Sequence, residues 1–272
     1  MKNSDSRQYR PFQPTVHNDP QLPIQYQEFT PLGLLKPYIY CYWSLQSKTV
    51  LNTPFSYQVV SDGCVDLLIN CTKFEKLIVA GTAKSATAVS FPNSFNYFGI
   101  RFLPGAFNHF FNIPLKEIAD QMIPYDEVWG NEIEPFEAQL FSAPSLPKRI
   151  ELSEQFLLQR LVSNRKKPHQ QLTAVLHNIY QHQGQLPLDR DASFHISSRQ
   201  LRRLFDRYVG ISPKAFARIV RFQSVLEAMM QASKSEWTTL FFDFGYYDQA
   251  HFIHEFNELY GTSPMSVTLP QK

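Results

Sequence analysis

Two hydrophobic periods divide the chain. Between residues 24 and 130 the apolar side chains come in short runs, among them Tyr57-Gln58-Val59-Val60, Val65-Asp66-Leu67-Leu68-Ile69 and Tyr97-Phe98-Gly99-Ile100-Arg101-Phe102, broken by Pro, Gly, Asn and Ser. Runs of this length between turn formers predict strands. Asp62-Gly63 lies between two of them and reads as a hairpin turn. Short helices are expected near residues 34–43 and 106–111. Several short strands in one stretch predict a small barrel or sandwich. Over residues 131–168 the pattern becomes helix and linker. Phe156, Leu157, Arg160 and Leu161 have helical spacing, and Asn164-Arg165-Lys166-Lys167-Pro168 is a charged, proline-ended break.

From residue 170 onward the period is helical throughout. Leu172, Val175, Leu176 and Ile179 make one apolar stripe on a helix that ends near Gly184. A short helix is expected over residues 186–196. Ser197 is a good N-cap for the next helix and Gly210 a good stop. Ser212-Pro213 then opens a long helix to about residue 231, with proline in the first turn where no amide hydrogen is needed. A second unit follows, with a helix over 237–244, a turn at Gly245 and a helix over 248–260. The two units echo each other: Arg-Leu-Phe-Asp-Arg-Tyr-Val-Gly-Ile-Ser-Pro at 203–213 aligns with His-Glu-Phe-Asn-Glu-Leu-Tyr-Gly-Thr-Ser-Pro at 254–264.

The faces of these helices suggest a chemistry. Over residues 198–209, Leu201, Leu204, Phe205 and Tyr208 share one face, and Arg199, Arg202, Arg203 and Asp206 share another. An exposed arginine stripe on a short helix after a tight turn suits the major groove, because a guanidinium can donate twice to guanine O6 and N7 and is also attracted to phosphates. In the second unit Phe252, Phe256 and Leu259 are core positions, while Gln249, Ala250, Ile253, His254 and Asn257 point outward. Gln249 could read adenine with both ends of its amide. The long helix between the units can separate two recognition helices by about one turn of DNA, ~34 Å.

Composition changes this picture little, and charge distribution changes it more. The 272 residues, 43% apolar and 18% charged, suggest two globular domains. Net charge is only +2, but residues 190–221 hold eight basic and two acidic side chains, whereas residues 222–267 hold one basic and six acidic. A basic stripe is the footprint of phosphate binding, so the first unit is expected to grip DNA harder than the second. In the second unit Glu255 and Glu258 read as a solvated face. Asp62 and Asp66 read as a turn residue and a polar strand position. Cys41, Cys64 and Cys71 fit no zinc spacing and read as small core residues in a reducing cytosol. His251 and His254 lack the cysteines or carboxylates of a zinc site, so no metal and no cofactor are expected. Residues 1–23 read as a disordered, Pro-rich arm without a signal pattern, and no run of 18 apolar residues suggests a membrane span.

Three strings carry a family resemblance. Ser197-Ser198-Arg199-Gln200-Leu201-Arg202-Arg203-Leu204-Phe205, Gly210-Ile211-Ser212-Pro213-Lys214 and Gly245-Tyr246-Tyr247-Asp248-Gln249-Ala250-His251-Phe252 resemble the AraC family of transcription regulators over residues 170–267. The resemblance implies that Arg199, Arg202, Arg203, Lys214, Gln249, Ala250, His251 and His254 bind DNA. His254 and Asn257 stand where the family usually carries bases. Upstream, Pro37-Tyr38-Ile39-Tyr40-Cys41-Tyr42-Trp43, Asp62-Gly63-Cys64-Val65-Asp66-Leu67 and Gly99-Ile100-Arg101-Phe102-Leu103-Pro104-Gly105-Ala106-Phe107 resemble the poorly characterised domain paired with one branch of that family.

The expectation is therefore an α+β chain: a β-rich, barrel-like regulatory domain over 24–130, a helical linker over 131–168, and an all-α double helix-turn-helix domain over 169–272. The expected function is sequence-specific binding of double-stranded DNA by a cytoplasmic, bacterial-type transcription regulator. Candidate further partners are RNA polymerase, an apolar or aromatic small molecule, and a second copy of the chain. The alternative is a ligand-binding or protein-interaction regulator whose second unit has lost tight DNA binding. No catalysis is expected, since nucleophile, base and oxyanion spacing and a phosphate loop are all missing.

Overall fold

The computed structural model describes residues 9–13, 23–73, 76–130, 132–164, 169–185, 196–267 and 269. The helix expected over residues 186–196 falls almost wholly outside the described residues. Strands β1 (Ile24–Phe29), β2 (Ile39–Ser47), β4 (Val65–Asn70), β5 (Ile78–Ala80), β7 (Asn96–Phe102) and β8 (Met122–Pro124) form one antiparallel sheet in the order β1-β2-β7-β4-β5-β8, and β3 (Phe55–Val59) pairs with β6 (Thr87–Phe91) in a separate ribbon. The sheet is not closed, so the barrel-like expectation resolves into an open sheet with β1 and β8 at its edges.

Two local expectations differ from the structure. Half of residues 34–43, expected as a helix, lies in β2, which runs between β1 and β7, and the other half is turn. A strand covered on both faces loses the apolar–polar alternation that marks a half-buried one, and a bulge between Ile39 and Cys41 interrupts the register further. Asp62-Gly63 turns the chain, with Gly63 at φ 74°, but the strands it joins do not pair with each other. Near residues 106–111 the structure has a short 3-10 helix, Phe107–His109.

The sheet has apolar material on both faces. On one side Leu67, Ile69, Ile100 and Phe102 pack with Phe136 and Leu140 of α2 (Glu134–Ser142) and Leu157 of α3 (Leu146–Asn164). A short helix α1 (Tyr125–Trp129) precedes these. On the other side Trp43, Leu45 and Leu68 pack with Tyr57, Phe91 and Phe95, from the ribbon and the turn that follows it. Phe91 and Phe95 lie 5.0 Å apart, ring centre to ring centre, and Phe55 and Phe95 6.0 Å apart. Cys41 and Cys64 are buried, Cys71 is half-buried, and all three are free thiols. Burial pushes the Cys41 and Cys64 thiols up from their ordinary value, which keeps them neutral packing groups.

The C-terminal half is helical: α4 (Gln170–Gln181), α5 (Ser198–Tyr208), α6 (Pro213–Met229), α7 (Trp237–Leu240) with a 3-10 turn Phe241–Phe244, and α8 (Gln249–Tyr260). Its core is centred on α6, whose Phe216, Ile219, Val220, Phe222, Val225 and Leu226 are all buried. This core includes Tyr9, Val60 and Ala119 from the N-terminal half, so one apolar cluster crosses between the two halves.

Residues 9–13 fill that junction, whereas a disordered arm was expected for them. Tyr9 stacks on Tyr180 at 4.7 Å and donates its hydroxyl hydrogen to the Asp62 carbonyl at 2.7 Å. The Gln13 amide imitates a neighbouring strand: it donates to the Val60 carbonyl and accepts from the Val60 N–H, at 2.9 and 3.0 Å, and it also donates to the Asp62 carboxylate. Two aromatic rings and an amide with such partners explain how this short polar stretch is ordered.

Candidate nucleic-acid interface

The first candidate surface is α5. Its N-terminus is fixed by a capping box, in which the Gln200 N–H donates to Ser197 Oγ at 3.3 Å and the Ser197 N–H donates to Gln200 Oε1 at 3.1 Å. The helix buries Leu201 and Phe205, and half-buries Leu204 and Tyr208. Arg199, Arg202 and Arg203 are all exposed. Arg202 stands 3.8 Å from Asp206, one turn on, a distance that restrains it only weakly. Among the described residues Arg199 and Arg203 are in no ion pair. Lys214 is exposed in the first turn of α6, whose N-cap Ser212 accepts from the Ala215 N–H at 3.2 Å.

The second surface is α8. Asp248 caps it by accepting from the His251 N–H at 2.7 Å. Gln249, Ala250, His251, His254 and Asn257 are exposed, and Phe252, Phe256 and Leu259 are buried. Ile253, expected to point outward, is half-buried against the core. Tyr247, just before the helix, is 88% exposed. The sequence-predicted residues thus gather into two sets, one on α5 and one on α8, with Lys214 at the start of the helix between them.

The charge pattern needs correction. Glu255 is not on a solvated face: it is 2% exposed and sits between α8 and α6. Arg221 Nη2 reaches both its oxygens at 2.7 Å, Arg218 Nε donates to it at 2.8 Å and Tyr246 donates its hydroxyl hydrogen at 2.7 Å. Arg218 also holds Glu258 at 2.7 Å. Burial alone would raise the Glu255 pKa, but the hydrogen bonds from Arg221, Arg218 and Tyr246 outweigh it and hold the carboxyl below its ordinary value. The basic first unit and acidic second unit therefore neutralise each other in part across the α6–α8 contact. Among the described residues the exposed basic side chains of the first unit are Arg199, Arg202, Arg203, Arg207 and Lys214, and Arg207 donates to the neutral Asn112 amide at 2.9 Å. Composition could not reveal this, because the partners lie 34 to 40 positions apart.

Asp62 and Asp66 are likewise more than turn and strand residues. Both face Arg101, which is 6% exposed and donates from Nε and Nη2 to Asp66 at 3.1 and 3.0 Å. Its Nη1 stands 3.7 Å from Asp62. Trp43 Nε1 donates to Asp66 at 3.0 Å. This cluster is in the N-terminal half and belongs to its framework.

Comparison with known proteins supplies two matches. Residues 192–268 match a family model described as a helix-turn-helix domain, and residues 27–124 match one described as a domain of unknown function (DUF6597). No curated protein and no solved structure matches the chain. Among the described residues, no helix is long and apolar enough to cross a membrane.

Proposed function

We propose that this chain, which carries an AraC-type helix-turn-helix domain at its C-terminus and is thereby a DNA-binding transcription regulator, reads a specific duplex sequence with α5 and α8 in successive major grooves. The observation that carries the reading is α5 itself: a capped helix with its apolar face buried and Arg199, Arg202 and Arg203 on its exposed face. α8 repeats the design with Gln249, Ala250, His251 and His254. α6 has 17 residues, a rod of about 25 Å at 1.5 Å per residue. That length is compatible with two helices about one DNA turn apart.

Alanine at Arg199, Arg202 or Arg203 is expected to weaken operator binding. A base-reading arginine is worth ~1–3 kcal/mol of discrimination. The check is titration of each variant, at one stated salt concentration, against a sequence selected from random DNA and against random DNA. Three variants that match the parent on both would remove α5 as the reading helix. His254→Arg is expected to tighten binding and to steepen the salt dependence, since one extra neutralised phosphate changes the slope of log affinity against log salt by about 0.9.

The alternative, a ligand-binding or protein-interaction regulator whose second unit has lost tight DNA binding, rests on that unit's acidity. Glu255 and Glu258, two of the six acidic side chains of that unit, are bound to Arg218 and Arg221, which weakens that motive. Control is proposed to enter through the N-terminal half, by an apolar or aromatic small molecule or by pairing with a second copy. A ligand between sheet and ribbon has to displace rings that already touch, such as Phe91 against Tyr97 at 5.1 Å. RNA polymerase is the natural downstream partner for such a regulator. This reading assigns binding and no catalytic step.

A further inference from the structure

The N-terminal half touches both recognition helices, and it does so at equivalent places. At the C-terminal end of α5 the Val209 carbonyl accepts the hydroxyl hydrogen of Thr82 at 2.7 Å, and the Arg207 carbonyl accepts from the Asn108 amide at 3.4 Å. At the C-terminal end of α8 the Leu259 carbonyl accepts from the Ser61 N–H at 3.1 Å, and the Glu258 carbonyl accepts from the Ala86 N–H at 2.9 Å. The last carbonyls of a helix have no partner within it, so these bonds satisfy groups that would otherwise need water. The glycines that end the two helices fit the same contact. A Cβ on Gly210 would stand 2.9 Å from the Leu115 carbonyl oxygen, and one on Gly261 would stand 2.7 Å from the Gln58 amide nitrogen.

Thr82 and Ala86 belong to one short connection between β5 and β6, and each holds the end of a different recognition helix. Four residues of chain span at most about 14 Å. The connection is itself braced, since Asp120 accepts from the Lys84 N–H at 2.7 Å and donates its own N–H to the Thr82 carbonyl at 3.1 Å. Ser61 adds a second link: its N–H holds α8, and its carbonyl accepts from Gln223 of α6 at 2.8 Å. Arg199 lies ten residues before Val209 and Gln249 ten before Leu259, about 15 Å along each helix. The bracing therefore sits at the opposite ends of α5 and α8 from those residues.

We infer that the N-terminal half is a positioning element for DNA recognition. Through the 82–86 connection and Ser61 it fixes the separation and rotation of α5 relative to α8, and so restricts the spacing of the two half-sites that the chain can read together. This rests on the reading of α5 and α8 as two DNA-contacting units. If α6 alone set their geometry, the contacts at Thr82, Ala86 and Ser61 would be irrelevant to half-site spacing.

The test uses the full chain and a DNA series. A sequence selected by the parent is rebuilt with one or two base pairs added or removed between the segments protected by α5 and α8. One base pair rotates a half-site by about 35°. The parent should lose affinity by about tenfold at the first step, the scale of one mismatched base pair. Two variants are compared with it. Thr82→Val removes the donor to Val209 while keeping the shape. Insertion of one glycine between Lys84 and Ser85, an exposed bend, uncouples the Thr82 hold from the Ala86 hold. The expected result is that the insertion flattens the spacing profile to about threefold or shifts its optimum, Thr82→Val does so to a lesser degree, and both keep parental affinity for the α5 half-site alone. Variant profiles that superimpose on the parent's overturn the inference and leave the spacing to α6. A parent that protects only one half-site, with no spacing preference, overturns the two-unit reading and the inference with it.

Discussion

Replacing Glu255 by alanine is expected to lower folding stability by about 3–5 kcal/mol, the cost of removing one partner from a buried ion pair. Glu255 is nearly inaccessible and accepts from Arg218, Arg221 and Tyr246. Without it two guanidinium groups and a phenol face one another across α6 and α8. The lower end of the range applies, because the Arg218 side chain is 33% exposed and keeps Glu258. A calorimetric or denaturant unfolding series reads the loss, and Glu258→Ala is the control. That carboxylate is 38% exposed, and removing an exposed pair costs ~0–1 kcal/mol. The dependence on pH has a definite sign. The folded Glu255 pKa lies below its ordinary value near 4.5, so its stabilisation is complete above that value and disappears as pH falls below it. The difference between parent and Glu255→Ala should therefore be largest near neutrality and shrink below about pH 4. Equal stabilities at pH 7 would show that the cluster contributes nothing net. Because the same carboxylate ties α8 to α6, the variant should also lose protection of the second half-site while keeping that of the first.

The legible part of the chain was the part whose structure is decided locally. α5, α6 and α8 were visible because their caps lie beside them: Ser197 with Gln200, Ser212 with Pro213, and Gly210 and Gly261 at the ends. Their apolar faces follow one period, so Leu201, Phe205, Phe252 and Phe256 could be placed inside without knowing what they touch. What was not legible depends on partners distant in sequence. β2 was hidden because neighbours on both sides and material on both faces suppress alternation. The docking of residues 9–13 depends on Val60, Asp62, Tyr180 and Gln223, none of which those five residues announce. Glu255 looked like an exposed helix position because a wheel gives direction and not neighbours, and here the neighbour is a pair of arginines on another helix. The exposed arginine stripe was right in its local form, yet the net charge of the segment overstated it, since Arg218 and Arg221 turn to Glu255.

Arg101 makes a second large prediction, in the other half of the molecule. Arg101→Met is expected to destabilise the chain by about 3–5 kcal/mol, because it leaves one buried and one half-buried carboxylate without their cation. Asp62 and Asp66 are both close to Arg101, and neither can turn to water without giving up other bonds. Asp66 accepts from Trp43, and Asp62 accepts from Gln13 and from the Cys64 N–H. Methionine fills much of the volume, so the loss measures charge more than cavity. Burial already raises the Asp66 pKa above its ordinary value, with Arg101 opposing the rise. A carboxyl whose folded pKa is raised favours the folded state while protonated and costs stability as pH rises through that pKa. Loss of Arg101 raises it further, so the deficit of Arg101→Met should be greatest at neutral pH and diminish as pH falls towards 4. Adding Asp66→Asn to Arg101→Met should return part of the stability, since the amide oxygen can still accept from Trp43 and no charge is stranded at that position. Failure of that rescue, with the single variant still destabilised, would mean that Arg101 acts through packing of its stem against the strands. The consequence reaches the helical half, because Ser61, next to Asp62, is the residue whose N–H holds α8 and whose carbonyl is held by α6. The cluster thus adjoins the residue that bonds both α6 and α8, and the unfolding of Arg101→Met should be followed together with its DNA-spacing profile.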